Sequence, residues 1–441
     1  MKYPKYERYK DSGSKYINEL PDYWITSAIK YLVSTPITDG PHETPDFLED
    51  GIPFISAEAI ENGRINFNKK RDCISEEQHK IYSKKYKPQR NDVYVVKSGS
   101  TTGKVAIVDT DEEFNIWSPL AAIRVNPEEN DPYFLFYALS SDLFQKQVSL
   151  FWSFGTQPNI GMSVLQKLKI PTPPLKEQQS IANFLDKETT RLDALIAKKQ
   201  QLIETLKEKR IAVISHAVTK GLNPEVPTKE SGIEWLDLIP KDWKEKPLKF
   251  VCTLNDETLP ETTDPEYEIK YVDIGSIDQN KGIIKKEPYI FDEAPSRARR
   301  KVIHGDIIVS TVRTYLRAIA PVINPEENLI VSTGFAVIRP RRIASDYLSF
   351  LLRSKYFVEK VVSLSVGVSY PAINASVLGS IKIPIPSEDE QRQISTYLYQ
   401  ETQNIDNLIG LTEKHIDKLI EYKTALISAA VTGKIKVPEQ A

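Results

Sequence analysis

The chain has 441 residues, of which 40% are hydrophobic and 27% charged, the composition of a folded protein of two or three domains. It has no apolar run long enough to span a membrane, no signal-like N-terminus and only two cysteines, so we expect a cytoplasmic protein without a disulfide framework. The formal net charge of −2 excludes binding to nucleic acid through overall charge, so any such binding requires local basic patches.

The first elements of the chain recur in its second half. "SGSKYINELPDYW" from Ser12 matches "SGIEWLDLIPKDW" from Ser231, and "NDVYVVKSGSTTGKVAI" from Asn91 aligns with "GDIIVSTVRTYLRAIA" from Gly305. The correspondence continues in the same order, at an offset between 213 and 219, to "IPTPPLKEQQSIANFL" and "IPIPSEDEQRQISTYL". Several ordered matches are not expected by chance, so we predict two copies of one unit of roughly 215 residues.

Each copy is predicted to contain a sheet-based domain followed by one long helix. Short β-branched and aromatic runs such as "DVYVV", "KVAIV", "DIIVS" and "FAVI" are separated by turn residues, which is typical of strands. "PYFLFYALSSDLFQKQV" has helical periodicity and is predicted to be a helix of the first domain. The predicted fold class is α+β, with sheet-containing domains at 1–173 and 222–386, long helices at 174–221 and 387–434, and a tail at 435–441.

Both copies carry a basic patch at matching positions. Between residues 64 and 104 there are eleven Lys or Arg and four acidic residues, and between 296 and 317 Asp306 is the only acid. A solvated charged face is the plain interpretation, whereas DNA phosphates would be the partner of a functional patch. The candidate phosphate contacts are Arg64, Lys69, Lys70, Arg71, Lys84, Lys85, Lys87 and Arg90 in copy one, and Arg297, Arg299, Arg300, Lys301, Arg313 and Arg317 in copy two.

Two loops in each copy are candidates for reading bases. One follows the "DVYVV" or "DIIVS" strand, and the other is "FGTQPNIG" or "VGVSYPAIN". Arg can bind guanine edges, Asn and Gln suit adenine, and Ser or Thr can serve either, although turn capping explains an Asn equally well. The candidates are Lys97, Ser98, Ser100, Thr101, Thr102, Lys104, Gln157 and Asn159 in copy one, and Arg313, Thr314, Tyr315, Arg317, Ser369, Tyr370 and Asn374 in copy two.

The two long helices each begin after proline and repeat an apolar stripe. Glu177 and Glu390 lie near the positive end of the helix dipole. The stripe has heptad-like spacing, which is typical of a coiled coil; it could join two chains as a dimer or pair the two helices antiparallel within one chain. The predicted seam is Ile181, Leu185, Leu192, Leu195, Leu202 and Leu206 in the first helix, and Ile394, Leu398, Ile405, Leu408 and Leu419 in the second.

These motifs together resemble the specificity subunit of Type I restriction-modification enzymes. The resemblance rests on the two helix starts, on "ISHAVTKG" and "ISAAVTGK" near the helix ends, and on "LPDYW" and "IPKDW"; the second copy lacks the double proline. It implies two target-recognition domains that each read half of a bipartite double-stranded DNA site, and an intramolecular antiparallel coiled coil that sets the spacer. It also implies docking of two modification subunits and of restriction subunits, which would supply S-adenosylmethionine, ATP and Mg²⁺ chemistry.

Catalytic chemistries have little support in the chain itself. "GSTTGK" at Gly99–Lys104 has one residue too few between its glycines for a phosphate-binding loop, and Val105 follows where Ser or Thr is needed. The five histidines lack metal-ligand spacing, and the Glu-x-Lys of "DPEYEIK" has no equivalent in copy one. We therefore expect a non-catalytic protein without a metal or cofactor of its own. The alternative function is an adaptor that assembles through its helices and binds no DNA.

Overall fold

The computed structural model describes residues 3–154 and 157–438 and divides into two compact units. Unit 1 comprises Met1–Lys199 and Lys414–Ala441, and unit 2 comprises Gln200–Glu413. Each unit therefore contains one sheet-based domain together with part of each long helix. Among the described residues, none of the helices has both the length and the apolar character needed to cross a membrane.

In the described residues, unit 1 has fifteen short strands and four α-helices before the first long helix. The strands are β1 (Tyr9–Ser14), β2 (Ile17–Pro21), β3 (Ile25–Ala28), β4 (Thr38–Asp39), β5 (Ile52–Ile55), β6 (Ile60–Glu61), β7 (Arg64–Ile65), β8 (Asp72–Ile74), β9 (Val93–Val96), β10 (Val105–Ile107), β11 (Asn115–Ile116), β12 (Leu120–Ile123), β13 (Ser153–Phe154), β14 (Pro158–Asn159) and β15 (Lys169–Thr172). The helices are α1 (Glu76–Ser83), α2 (Pro132–Ser140), α3 (Asp142–Phe151), α4 (Met162–Leu165) and the long helix α5 (Leu175–Lys220), which continues into unit 2.

In the part of the chain that the structure describes, unit 2 has a similar arrangement, but α1 has no counterpart in it. Its strands are β16 (Thr228–Ile233), β17 (Leu236–Pro240), β18 (Lys244–Pro247), β19 (Cys252–Leu254), β20 (Glu268–Val272), β21 (Ile277–Asp278), β22 (Gly282–Ile283), β23 (Glu287–Ile290), β24 (Ala298–Lys301), β25 (Ile307–Ser310), β26 (Ile319–Pro321), β27 (Leu329–Ser332), β28 (Phe335–Pro340) and β29 (Lys382–Ile385). Its helices are α6 (Ser345–Leu352), α7 (Lys355–Ser363), α8 (Ala375–Ser380) and the long helix α9 (Glu388–Val431), whose last part belongs to unit 1.

The predicted duplication is visible in the sheet topology. The main sheet has the strand order β10-β9-β12-β4 in unit 1 and β26-β25-β28-β19 in unit 2, and each strand occupies the place of its counterpart. In both sheets the central pairs are antiparallel, with Val93 opposite Ile123 and Ile307 opposite Ile338. The second sheet of each unit contains one parallel pair, β11 with β5 and β27 with β20. The predicted α+β class is confirmed.

The helix predicted from "PYFLFYALSSDLFQKQV" is two helices in the structure, so that prediction was wrong. Ser141 lies between α2 and α3 in an extended conformation, with φ −74° and ψ 152°. Its hydroxyl accepts a hydrogen bond from the Phe144 N–H and so caps α3. Ser354 does the same for Phe357 at the start of α7 in unit 2. The apolar periodicity runs through both helices, which is why it concealed the capping serine.

The long helices pair antiparallel within each unit, as the intramolecular alternative predicted. In unit 1 Lys423 of α9 contacts both carboxylate oxygens of Asp193 of α5 at 2.7 Å, and in unit 2 Arg210 of α5 contacts Asp406 of α9 at 3.0 Å. Asp193 and Asp406 are repeat equivalents, as are Arg210 and Lys423, so the same cross-helix ion pair occurs with the two helices exchanged. The repeat therefore extends to the contacts between the helices.

The seam between the helices differs in part from the predicted heptads. Leu202 and Leu408 are exposed, at 46% and 51%, while Ile203 is buried and Ile409 half-buried, so these two predicted seam residues were wrong. From Ile181 onward the buried stripe recurs about every 3.6 residues, the period of a straight α-helix. A heptad pattern drifts by about 20° per repeat relative to such a helix. After three repeats the drift is about 60°, more than half of the roughly 100° between consecutive residues, so the next residue becomes the buried one.

The start of each long helix is fastened to the sheet domain by a Glu-Gln pair. In unit 1 the Glu177 carboxylate accepts hydrogen bonds from Trp24 Nε1 (3.0 Å) and Tyr6 Oη (2.7 Å), and in unit 2 Glu390 accepts one from Trp243 Nε1 (2.9 Å). The following glutamines are buried and accept from a backbone N–H of the sheet domain. Gln178 accepts from Asp131 and Gln391 from Ala344, at 2.9 and 2.8 Å, and each donates to a proline carbonyl just before its helix.

The boundaries of the predicted tail also change. Ile435 and Val437 are buried and belong to the unit 1 core, so residues 435–438 are part of that domain rather than a free tail. Residues 439–441 lie outside the described part of the chain, as do residues 1–2 and residues 155–156 of the second predicted loop.

We expect Gln391→Ala to lower the free energy of unfolding of unit 2 by about 2 kcal/mol, because it leaves the Ala344 N–H and the Pro386 carbonyl without their partner. Urea unfolding followed by tryptophan fluorescence measures this change, since Trp243 lies at the same junction. Gln393→Ala is the matched control, because Gln393 is exposed in the same helical turn. Equal stability of the two variants would contradict the role of the glutamine.

Candidate DNA interface

The two loops predicted to read bases form one surface in each unit. In unit 1 the β9–β10 loop and β14 are joined by a bridge between Ser98 and Asn159 and by a hydrogen bond from Ile160 N to Lys97 O (2.8 Å). In unit 2 the β25–β26 loop and the loop before α8 are joined by a bridge between Val312 and Ala372 and by Ile373 N to Thr311 O (2.8 Å). The structure thus brings together residues that lie about 60 positions apart in the sequence.

The β9–β10 loop exposes some of its predicted side chains and uses others to hold its shape. Ser100 and Lys104 are exposed, as are Gln157 and Asn159 beside them. Ser98 and Thr101 are half-buried, and the Thr102 hydroxyl donates to the backbone carbonyls of Gly99 and Pro158. Thr102 is therefore a structural residue of the loop.

Lys97 was predicted to contact DNA, and the structure corrects this prediction. Its side chain is 11% exposed and forms an ion pair with Asp39 at 3.2 Å, where Lys85 also binds. Burial opposes ionisation of Asp39, but the hydrogen bonds from Lys85 and Lys97 outweigh it and lower the pKa of the carboxyl. The ammonium group of Lys97 thus stabilises a buried carboxylate inside the domain.

Positive backbone angles occur at the same two positions of the loop in both units. Gly99 and Gly103 have φ of 103° and 96° in unit 1, and their counterparts Arg313 and Arg317 have φ of 52° in unit 2. Glycine adopts these angles without cost, whereas a side chain with Cβ pays about 1–2 kcal/mol. The glycines of "GSTTGK" are thereby explained by the turn. Arginine at both strained positions of unit 2 is a sign of function.

The unit 2 loops present aromatic and cationic groups together. The Arg313 guanidinium lies over the Tyr370 ring, 4.9 Å from its centroid. Four other predicted residues of these two loops are exposed: Tyr315, Arg317, Ser369 and Asn374. Thr314 is the exception, because it is buried and its hydroxyl donates to Ser365 Oγ at 2.8 Å. Its predicted role as a base contact is therefore corrected to a structural one.

The basic patch of unit 1 is largely neutralised by ion pairs. Six of its exposed or half-exposed predicted cations have an acidic partner within 4.0 Å: Arg64 with Asp109, Lys69 with Glu61, Arg71 with Glu58, Lys85 with Asp39, Lys87 with Glu113, and Arg90 with Asp111. Among the described residues, Lys70, Lys84 and Lys104 form no such pair. The sequence showed the local excess of cations but not this pairing, because the partners lie up to 46 residues away.

The basic patch of unit 2 is different. Within the described chain none of its six predicted cations, Arg297, Arg299, Arg300, Lys301, Arg313 and Arg317, forms an ion pair. The one acid of the segment, Asp306, is fully buried against Arg339 at 2.9 and 3.0 Å. The Arg300 Nε is buried without a hydrogen-bond partner, and burial lowers the pKa of this guanidinium. Arg297, Arg313 and Arg317 are exposed and therefore available to phosphate groups, whereas Arg299, Arg300 and Lys301 are half-buried.

Sequence reasoning missed the apolar tip of the second unit 2 loop. Val366 and Val368 are exposed at 81% and 101%. In "LSVGVSY" their alternation resembles a half-buried strand, so the sequence carried no signal that both side chains face solvent.

In the described chain, no group of three His, Cys, Asp or Glu side chains is arranged to hold a metal ion.

Two α+β domains of one topology, each with a composite loop surface beside cations and each fastened to a long helix, define a duplicated recognition protein. The family described as the Type I restriction modification DNA specificity domain matches residues 40–205 and 240–421, and the chain belongs to this family. It is a specificity subunit of the Type I restriction-modification class, a recognition component and not itself an enzyme.

Known relatives and structures agree with this assignment. The chain is 26% identical over 399 residues to the Type I restriction enzyme MjaVIII specificity subunit of Methanocaldococcus jannaschii, covering 88% of this chain and 87% of the relative. It is 25% identical over 354 residues to the EcoBI specificity subunit of Escherichia coli, covering 75% and 73%.

Two solved structures share the fold. One, from a study of complex assembly and conformational transition of the type I R-M system, has a TM-score of 0.69 at 18% identity and covers 93% of this chain and 98% of that chain. The other, the HsdS subunit from Thermoanaerobacter tengcongensis, has a TM-score of 0.55 at 18% identity and covers 94% and 98%.

Neutralising unpaired cations should cost more DNA affinity than neutralising paired ones. We expect the triple change Arg297→Gln, Lys301→Gln and Arg317→Gln to reduce the slope of log affinity against log salt by roughly two to three, since each lost phosphate contact removes about 0.9. The matched triple Lys69→Gln, Arg71→Gln and Arg90→Gln should change it by less than about one, because these cations already have acidic partners. Fluorescence anisotropy of a labelled duplex in increasing KCl measures both slopes. Equal losses would show that ion pairing does not distinguish the patches.

Replacing Arg317 by glycine should stabilise the chain and weaken its binding to DNA. Because Gly relieves the strain at φ 52°, Arg317→Gly is expected to raise the free energy of unfolding by about 1 kcal/mol while weakening duplex binding. Arg297→Gly is the control, since Arg297 has no positive φ and glycine there should weaken both stability and binding. Urea unfolding and anisotropy together give the two quantities. If Arg317→Gly bound DNA as tightly as the original chain, Arg317 would not be a DNA contact.

Proposed function

We propose that each unit reads one half of a bipartite double-stranded DNA target through its composite loop surface. The observation that supports this most directly is the contrast within the repeat: the strand order and the positive-φ positions agree in the two units, whereas the side chains on the loops differ. One backbone frame with two different surfaces suits two different half-site sequences. The contacting residues are those predicted above, without Lys97, Thr102 and Thr314.

The long helices supply the second part of the proposal. They carry exposed apolar side chains on helical surfaces, including Leu202, Leu408 and Leu411 in unit 2 and Ile420 in unit 1. Exposed apolar residues grouped on helices are typical of protein contacts. We propose that two modification subunits dock there and that restriction subunits join through them. The length of the helices would then set the number of base pairs between the half-sites.

Under this proposal the catalytic reactions are carried out by the modification and restriction subunits. Modification subunits would bind S-adenosylmethionine and methylate adenine, and restriction subunits would use ATP and Mg²⁺; this chain would contribute recognition. Because its proposed partner is cellular DNA, we also propose a cytoplasmic location. An adaptor without DNA binding is the less favoured function, since it gives no reason for arginines at two strained loop positions.

Exchange of one loop tests the assignment of one half-site to each unit. Replacing Ser98–Lys104 by its counterpart Val312–Ala318 should alter one half of the N6-methyladenine motif and leave the other unchanged, because the two loops have positive φ at the same two positions. The measurement is genome-wide methylation mapping in cells that carry the chain with its modification subunits. The control is Glu128→Ala with Glu129→Ala, exposed residues outside the loops.

Three outcomes of the mapping are informative. A change in one half supports the proposal. Simultaneous change of both halves would contradict the assignment of one reader to each unit. Absence of any two-part motif with the unaltered chain would contradict DNA reading itself.

A further inference from the structure

The loop before α8 in unit 2 forms a hairpin closed by backbone hydrogen bonds. Val366 and Ala372 exchange two backbone hydrogen bonds, Val366 N to Ala372 O (2.9 Å) and Ala372 N to Val366 O (3.0 Å). Its base is pinned to the β25–β26 loop by the hydroxyl pair of Thr314 and Ser365 (2.8 Å). At Gly367, with φ 115°, a Cβ would come within 3.2 Å of the Tyr370 carbonyl, so the turn is closed tightly. These contacts define the conformation of the hairpin at its base.

The tip of this hairpin presents apolar side chains to solvent. Val368 is fully exposed at the turn, and Val366 and Tyr370 flank it with most of their surface accessible. Tyr315 and Leu316 of the adjoining loop are also exposed. A cluster of exposed apolar groups on a soluble domain indicates a surface that becomes covered on binding. These side chains are not part of the domain core, so we infer that they contact a partner outside the unit.

The charges beside the hairpin indicate which kind of partner covers its apolar tip. Arg313 stacks on Tyr370, and Arg317 is exposed in the loop that adjoins the hairpin; no carboxylate within the described chain pairs with either. Residues 364–374 contain no acidic side chain, and Asp306, the one acid between residues 296 and 317, is buried. An apolar wedge flanked by unpaired arginines fits duplex DNA, whose backbone is anionic and whose stacked bases are apolar.

We propose that Val368 inserts between neighbouring base pairs of the half-site read by unit 2. This inference rests on the proposed function and extends it. Insertion of an apolar side chain unstacks one base step and bends the duplex, while Arg313 and Arg317 hold the flanking phosphates. Pyrimidine–purine steps unstack most easily, so unit 2 favours such a step at the insertion point without a hydrogen bond to it. The hairpin is therefore a specificity determinant that reads deformability.

The test uses the complex of this chain with its modification subunits and a duplex that carries the methylation-mapped target. 2-Aminopurine is placed at successive positions of each half-site, and its fluorescence is recorded on binding. With the unaltered chain we expect a rise of several-fold at one step of one half-site. Val368→Ser should abolish the rise and weaken binding about tenfold, with an unchanged salt slope. Ile323→Ser is the control, because Ile323 is 61% exposed outside the hairpin and its replacement should leave both quantities unchanged.

Four results would overturn the inference. The first is tight binding by the unaltered complex without a fluorescence rise at any position. The second is a Val368→Ser complex that binds and unstacks the duplex normally. The third is loss of modification subunits from the Val368→Ser complex in size-exclusion chromatography, which would assign the tip to a protein contact. The fourth, failure of the unaltered complex to bind any duplex, would also remove the proposed function, whereas the first three leave it standing.

Discussion

The fold depends on how each long helix is fastened to its sheet domain. The Glu-Gln pair at the helix start satisfies an indole N–H, a backbone N–H of the sheet domain and a proline carbonyl, all in positions where water is largely excluded. Burial raises the pKa of Glu390, although the hydrogen bond from Trp243 opposes this, and a carboxylate near the first turn also faces the positive end of the helix dipole. Losing such a buried polar contact costs more than making it gains, so the junction tolerates little variation. This explains why both copies have Glu-Gln at the start of the long helix.

On this fixed frame the two units differ where they meet solvent. The strand order and the sign of φ at the loop positions are the same, but glycines in one unit are arginines in the other. The cations of the unit 1 patch are mostly held by carboxylates, whereas in the described chain none of the six predicted patch cations of unit 2 forms an ion pair. An exposed ion pair contributes at most about 1 kcal/mol, so a phosphate can replace its carboxylate at modest cost. The basic patches of the two units therefore differ in how many carboxylate partners a DNA phosphate must replace, and ion pairing alone does not prevent the unit 1 patch from binding DNA.

Much of this could be predicted from the sequence because duplication supplies a second observation of most elements. The strands, the long helices and the loops between particular strands followed from repeated patterns. What the sequence could not supply was pairing at a distance: Lys97 with Asp39, Arg90 with Asp111, and the bridge that joins Ser98 to Asn159. Side-chain direction was equally hidden, since Thr314 and Tyr315 are adjacent in a loop yet one is buried and the other exposed. Such facts depend on the three-dimensional neighbours of a residue and not on its type.

The error in the seam has a physical origin that bears on the helices' role. A heptad pattern implies helices that coil around each other, whereas a stripe repeating every 3.6 residues belongs to straighter helices. The apolar residues left out of the buried stripe, Leu202 and Leu408, then face solvent on the outer surface of the pair. In the sequence these leucines fill heptad positions, and in the structure they are available to other chains. Under the proposed docking of modification subunits, these leucines would be half of a larger helical packing that the partner subunits complete.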